Sequence, residues 1–388
     1  MSAATEKHLL LVGAGHAHLF VLERLANLPH MRPKVTVISP DVFQYYSGML
    51  PGWLAGHYAT GDIRLNVQAL AEAAGAQFIA DRVVAIDADR KMVRLSSGAE
   101  ITADVLSFDI GSETEKDSLK ACGDLLLPVK PLERFQEEWH AAVERAVQAG
   151  RLRLVVVGGG AAGVELAMAA QHALKDKVAE LSVSLVTGKN GYLKGHVAGV
   201  HRRVRNNLER LSIEVLPHRA EGSARGVMLD DGREITADVV IAATGARSPE
   251  LTWTSGLSLD DAGFIKVGPT HQSVSHVDIF AAGDISGRSD PRIQKSGVHA
   301  VRAGPVLAHN LLVALGVIDQ PLKAYEPRNH VLYLLACGEK YAVASWGWFH
   351  VEGRWVWTWK DWIDRRFITR FSRSLVCNKA QTMADERA

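Results

Sequence analysis

Cysteine is scarce in this 388-residue chain: Cys122, Cys337 and Cys377 are the only three, they lie far apart, and no CxxC pair occurs. That excludes a disulfide framework, a cysteine-rich metal site and dithiol chemistry, and it favours a reducing compartment. No metal site is expected. Net charge is almost absent too, since 44 Lys and Arg face 43 Asp and Glu. No global field gathers nucleic acid, so none is expected as a partner. Apolar runs stop well short of the roughly 18 residues that a spanning helix needs. The apolar run before the first glycine is too short for a secretory signal, so a cytoplasmic location is expected. What the chain has in excess is tryptophan near its end, six of the nine falling between Trp346 and Trp362.

An internal duplication organises the rest. Gly98–Val105 (GAEITADV) and Gly232–Val239 (GREITADV) match at seven of eight positions with an offset of 134 residues. Upstream of each lies a β-forming run that ends in glycines, LLLVGAG at Leu9–Gly15 and LVVVGGG at Leu154–Gly160. Each copy reads as strand, glycine turn, amphipathic helix and strand, a βαβ unit. The first copy predicts strand His8–Val12, helix Gly15–Asn27 and strand Lys34–Ile38, and the second predicts Arg153–Val157, Ala161–Leu174 and Leu181–Thr187. Lys130–Ala149 reads as a connecting amphipathic helix opened by Pro131. From about His330 alternation predicts strands LYLLAC, YAVASWGW and RWVWTW, then a basic helix and a frayed tail.

The fold class is therefore α/β, with two Rossmann-like dinucleotide-binding domains, the second inserted in the first, and a small α+β C-terminal subdomain. The expected boundaries are 1–115 with 246–325 for the first domain, 116–245 for the second and 326–388 for the cap.

Gly13-Ala-Gly15-His16-Ala17-His18 follows a strand and opens a helix, where glycines let a backbone approach a pyrophosphate. His18 stands where a third glycine is usual. Gly158, Gly160 and Gly163, with Ala161 after the second, complete the GxGxxG pattern in the second copy. The acid expected about 20 residues on, to hold an adenosine ribose, is missing from both. Ser39, Pro40 and Asp41 follow the first strand, and Lys189 follows the second.

Together with the strands that end at Gly111 and Gly245 and with HVDIFAAGDI at His276–Ile285, these turns resemble the two-dinucleotide-fold flavoproteins of the pyridine nucleotide-disulfide oxidoreductase superfamily. Type II NADH dehydrogenases and sulfide:quinone oxidoreductases are the nearer likeness. GAGHAH, Tyr46–Gly52 (YSGMLPG), Val129-Lys130-Pro131 and Trp359–Phe367 (WKDWIDRRF) further resemble the oxidoreductase-like proteins that occur alone or fused ahead of selenophosphate synthase.

The resemblance implies FAD in the first unit, a nicotinamide nucleotide, NAD(P)H, in the second, and a cap over the flavin. It implies that Gly13, Gly15, His16, Ala17 and His18 hold the pyrophosphate, with Ser39, Pro40 and Asp41 near the adenosine and Asp284 on the ribityl hydroxyls. Gly48, Met49, Val83, Gly111 and the segment Lys295, Ser296, Gly297 and Val298 complete the implied FAD site. Gly158, Gly160, Ala161, Gly163 and Gly245 would hold the nicotinamide nucleotide, and Glu165 and Lys295 are the candidate catalytic residues.

Two departures bear on chemistry. The glutamines that flank quinone in type II dehydrogenases correspond here to Val298 and Arg302, and the cysteine pair of sulfide oxidation is absent, with Cys337 alone in its region. The leading expectation is an FAD-dependent, NAD(P)H dehydrogenase-like oxidoreductase that passes two electrons from a small-molecule donor to an acceptor such as a quinone. Sulfide or selenide oxidation, and a non-catalytic redox-sensing or partner-binding flavoprotein, stay open as alternatives.

Trp355, Trp357 and Trp359 alternate as on one strand face, and Trp359, Trp362, Ile363, Phe367 and Phe371 then fall on one helical face. Arg365, Arg366, Arg370 and Arg373 cluster around that face. Lys360–Lys379 carries a local charge of +4. Peripheral contact with the inner face of a membrane and packing onto the flavin domain or a homodimer partner are both open for this segment.

Overall fold

The computed structural model describes residues 7–28, 33–290 and 292–385, with side chains as far as Ser372. Leu9–Val12 and Leu154–Val157 are continuous apolar runs because each lies in a parallel sheet covered on both faces. The first five-stranded sheet has the spatial order Ile279–Ala281, Val105–Phe108, His8–Val12, Lys34–Ser39 and Gln77–Ala80. The second repeats the plan with Leu126–Pro128, Val239–Ala242, Arg151–Val157, Glu180–Val186 and Glu214–Leu216. Each sheet has a three-stranded antiparallel companion, 83–102 and 220–236. The duplicated octapeptide leads from each companion back into its parallel sheet.

The two sheets differ in where their edge strand comes from. The second sheet takes Leu126–Pro128 from upstream, whereas the first takes Ile279–Ala281 after the chain has built the second sheet and returned. The outgoing and returning passages pair antiparallel, Glu113 with Arg247 and Thr114 with Ala246. The helix Leu132–Ala149 forms as expected, with Pro131 as its N-cap residue rather than its first helical residue.

The C-terminal region corrects the sequence reading. Leu332–Ala336, Ala342–Trp346 and Phe349–Gly353 form an antiparallel sheet, but Arg354–Asp385 is one helix that includes the RWVWTW segment. The alternating tryptophans therefore do not share a strand face: Trp355 is exposed while Trp357 and Trp359 are half-buried. The proposed apolar face is also different, because Trp362 is exposed and the buried stripe runs Val356, Lys360, Asp364 and Phe371 at helical spacing. The tail read as frayed is helical to Asp385, and the side chains of Arg373, Cys377 and Lys379 lie outside the described residues.

The helix begins on the small sheet and ends on the first unit. There Phe371 meets Phe20 edge-on at 5.1 Å, and Arg370 forms a two-bond ion pair with Glu23 at 2.7 Å. Phe371 is fully buried. Phe371→Ala is expected to cost about 3–5 kcal/mol, read as a lower midpoint in chemical denaturation.

Candidate active site

The two glycine turns differ in what lies opposite them. In the first, Gly15 caps the helix His16–Ala26, and the free N–H groups of that helix end face Asp109. The Asp109 carboxylate accepts from the N–H of Ala17 at 2.7 Å and of His18 at 3.0 Å, and its backbone carbonyl accepts from Gly15. A side chain at Gly15 would strike that carboxylate. Burial, reinforced by Asp284 and opposed by the two N–H groups, lifts the Asp109 pKa to about 7.

His18 takes over the packing role of the missing glycine. One ring nitrogen lies 2.6 Å from the Gly13 carbonyl and the other 2.8 Å from the Ser107 hydroxyl. Burial lowers its pKa to about 4, so it is neutral and structural. His16 is different. It sits against Tyr46 and Phe367, its pKa is also lowered to about 4 by burial, and its buried Nε2 has no hydrogen-bond partner.

Asp284, in the turn Gly283–Ile285, accepts from the Lys130 ammonium at 2.7 Å, and Lys130 also donates to Ser112 at 2.8 Å. Close by, the helix Gly297–Ala314 starts at Ser296, and Gly297 faces Ser47. Lys295 donates to the Ser286 carbonyl at 2.6 Å over the Phe264 ring; burial of the ammonium lowers its pKa to about 8. Ser39 donates to the Asp41 carbonyl. Met49 is buried, and Val83 is packed in the core beneath the first sheet.

The second turn opens the helix Ala161–Leu174 with no side-chain cap. Gly158 has φ +142°, and a side chain there would run into the Ala243 carbonyl; Gly163 packs on the Gly158 carbonyl, the close helix-to-strand contact of the full motif. Gly160 faces open space. Ala243 follows its strand as Asp109 follows the corresponding one, so this turn has no carboxylate in front of it. Lys189 is largely exposed and pairs with Asp230 at 3.1 Å. Gly158→Ala is expected to abolish reduction by a nicotinamide nucleotide while leaving the flavin content unchanged, a difference seen by absorbance before and after NADH addition.

Glu165 lies on the same helix beyond its first turn, so the helix dipole does not account for it. Its carboxylate accepts from the Ala336 N–H at 2.8 Å. Burial raises its pKa to about 7 even though Lys360 and that N–H pull it down. Lys360, itself buried, donates to the Gly48 carbonyl at 2.6 Å and to Asp364 at 2.7 Å. Desolvation opposes the Lys360 charge, but Asp364 and Glu165 outweigh it and hold its pKa above the usual value. Burial raises the Asp364 pKa against the pull of Lys360, and Tyr46 hydrogen bonds the same carboxylate. One charged cluster thus draws on the second unit, the C-terminal helix and the Tyr46–Gly48 segment.

The sequence reading brought Glu165, Gly48 and the Lys295 segment forward but missed Asp109, Lys130, Lys360 and Asp364 as site residues. Setting the two copies side by side exposes Asp109, the only acid where the second copy has Ala243. The four-residue spacing of Lys360 and Asp364 is a signal of the same kind. Cys337 is buried and desolvation pushes its thiol pKa far up, which leaves it unreactive.

Two glycine turns, each at the carboxyl end of a parallel sheet, together with a buried ionisable cluster, define a two-nucleotide oxidoreductase. The chain belongs to the pyridine nucleotide-disulphide oxidoreductase family, whose sequence profile matches residues 7–304. That family binds FAD and NAD(P)H. The ferroptosis suppressor protein 1 of Taeniopygia guttata is 25% identical over 288 residues, 71% of this chain and 73% of that protein. Among solved structures, the sulfide:quinone oxidoreductase of Aquifex aeolicus has a TM-score of 0.78 at 18% identity, covering 95% of this chain and 92% of that one. The NDH2 of Plasmodium falciparum, solved with NADH, has a TM-score of 0.79 at 14% identity, covering 96% and 98%. At these identities the structural matches establish the fold. The residues present also fit a dinucleotide: the buried Nε2 of His16 has no partner, the space in front of Gly160 is open, and the helix Ala161–Leu174 begins with no side-chain cap.

Proposed function

We propose that this oxidoreductase takes a hydride from NAD(P)H onto FAD and passes two electrons to an acceptor such as a quinone, within the subgroup that resembles the selenophosphate synthase-associated proteins. The observation that carries this reading is the buried Glu165–Lys360–Asp364 cluster at the meeting of the two units and the cap. In this reading 1–115 and 246–325 hold FAD, 116–245 hold the nicotinamide nucleotide and 326–388 close the site.

FAD supplies the two-electron exchange when bound. The first glycine turn and Asp284 would hold it, and Lys130 and the N-terminus of the helix at Gly297 would supply positive charge to it. Glu165, with a pKa of about 7, is suited to give up the proton that reduction of an acceptor consumes. Lys360, fixed by the Gly48 carbonyl and Asp364, acts on that carboxyl through its charge.

Anaerobic addition of NADH, NADPH, sulfide and selenide to the purified flavoprotein tests the reading. Bleaching of the flavin by a nicotinamide nucleotide supports it; bleaching only by a chalcogen donor replaces it with sulfide or selenide oxidation.

Among the described residues no helix is long and apolar enough to cross a membrane. Trp348 is 84% exposed, and Trp346, Trp355 and Trp362 are each more than half exposed. This apolar surface, with Arg354, Arg365 and Arg366 nearby in sequence, suits the headgroup region of a bilayer. Flotation with anionic vesicles at low salt is expected, and Trp348→Ser is expected to weaken it; failure of the protein to float removes this part of the reading.

A further inference from the structure

Beside the turn Gly283–Ile285 lies a small, partly open cavity whose far wall, His271, Arg288, His299 and Tyr325, has no role in the reading above. Its polar lining includes His271, Arg288, Ser296, His299 and Tyr325. His271 is 2% exposed, and its Nδ1 lies 3.2 Å from the Ala281 carbonyl. A carbonyl only accepts, so Nδ1 carries the proton and Nε2 keeps its lone pair. That Nε2 is buried and has no partner. Arg288 spends one nitrogen on the Tyr325 carbonyl at 3.2 Å, and its other terminal nitrogen, Nη1, is buried without a partner. Ser296 is the N-cap of the 18-residue helix Gly297–Ala314, yet its hydroxyl makes no capping bond and is likewise buried and unpartnered. His299 is linked to the Tyr325 hydroxyl at 2.9 Å.

An unpaired guanidinium N–H, an uncapped helix end and a free hydroxyl call for an acceptor, preferably an anion. The His271 lone pair calls for a donor. Two carboxylates also line the cavity, but Asp284 is paired with Lys130, and Asp260 is held by the N–H groups of Ala262 and Phe264. Arg288 and Lys295 then outnumber Asp260, the one lining carboxylate without a cation partner among the described residues, and leave the lining net positive.

We infer that this cavity binds a small oxyanion bearing its own hydroxyl, of the bicarbonate or hydrogenphosphate kind, with its charged oxygens on Arg288 and Ser296 and its O–H donated to His271. Burial and the nearby Arg288 lower the His271 pKa to about 4, which keeps the ring neutral and able to accept that proton. The site borders the proposed flavin site, with which it shares Asp284, Lys295 and Ser296, and its own residues are His271, Arg288, His299 and Tyr325.

The test is calorimetric titration of the purified protein with bicarbonate and, separately, with inorganic phosphate, at constant ionic strength and with chloride as control. One equivalent of one of the two anions is expected to bind saturably, and chloride is not. Arg288→Met is expected to weaken binding by at least about tenfold, the size expected for a charge-assisted hydrogen bond. Arg288 also supports Tyr325, so a second readout is the ¹⁵N shift of His271 Nε2 in the unaltered protein, which is expected to move as the anion is added. Absence of binding by both anions, an unmoved His271 signal, or equal affinity in Arg288→Met overturns the inference. The flavin content of the same sample is recorded independently, so loss of the FAD reading would be seen separately.

Discussion

Glu165→Gln is expected to lower turnover by about 10²-fold, the contribution of a positioned proton donor, with flavin content unchanged. The glutamine keeps the size of the side chain and its bond to the Ala336 N–H, and it removes the titrating proton. In the unaltered protein a donor with a pKa of about 7 makes activity fall as pH rises through that value, and this limb should vanish in the variant. Lys360→Met gives the complementary result. Removing the cation removes the positive charge that lowers the Glu165 pKa, so the limb should move to higher pH. The same substitution leaves Asp364 buried beside Tyr46 without its partner, and the breaking of such a pair costs about 3–5 kcal/mol. Equal losses at all pH values in both variants would mean that the cluster only holds the domains together. The raised Glu165 pKa also affects folding: its contribution to stability is complete at pH values below its unfolded pKa and is lost as pH rises through about 7.

The second large effect concerns loading of the cofactor. A pyrophosphate is expected at the N-terminus of the helix His16–Ala26, but Asp109 already takes the N–H groups of Ala17 and His18 there. A carboxylate and a diphosphate side by side repel, so Asp109 has to be neutral when the cofactor is bound. Its pKa of about 7 in the free protein makes that possible near neutrality. The groups that set this value are Asp284, which raises it, and the two N–H groups, which lower it, against the dominant effect of burial. Bound phosphate raises it further, so the sign is fixed: FAD affinity falls as pH rises above about 7, by up to about tenfold per unit for one coupled proton. Asp109→Asn keeps the acceptor oxygen for the helix end and is expected to bind FAD equally at all pH values from 6 to about 9. A parallel pH dependence in the two proteins, measured by fluorescence quenching of added FAD, would show that Asp109 is not the group involved.

Much of the architecture was legible because burial on both faces leaves unbroken apolar runs, and because the octapeptide at Gly98 recurs at Gly232. The strand, turn and helix limits around Gly13 and Gly158 follow from those runs to within a few residues. The C-terminal helix was not legible in the same way. RWVWTW alternates in steps of two, the pattern of a strand, but the segment packs on Ala342 and Ala344 through Val356 and turns its tryptophans to different sides. Lys360 and Asp364 read as surface charges because charged side chains are almost always solvated. Only the packed structure reveals that each neutralises the other in a buried place. Asp109 was hidden for a related reason: the motif directs attention to the glycines, whereas the residue opposite them arrives from a strand about 90 residues further along the chain.

The central claim is that a nicotinamide nucleotide held by the second unit delivers a hydride to a flavin held by the first. Stopped-flow mixing of the anaerobic flavoprotein with saturating NADH, deuterated in turn at each face of its C4 carbon, tests it most directly. Bleaching by one equivalent of nucleotide is expected, slowed by deuterium on one face and not on the other. No bleaching by either NADH or NADPH, or bleaching at a rate that deuterium leaves unchanged on both faces, would contradict it.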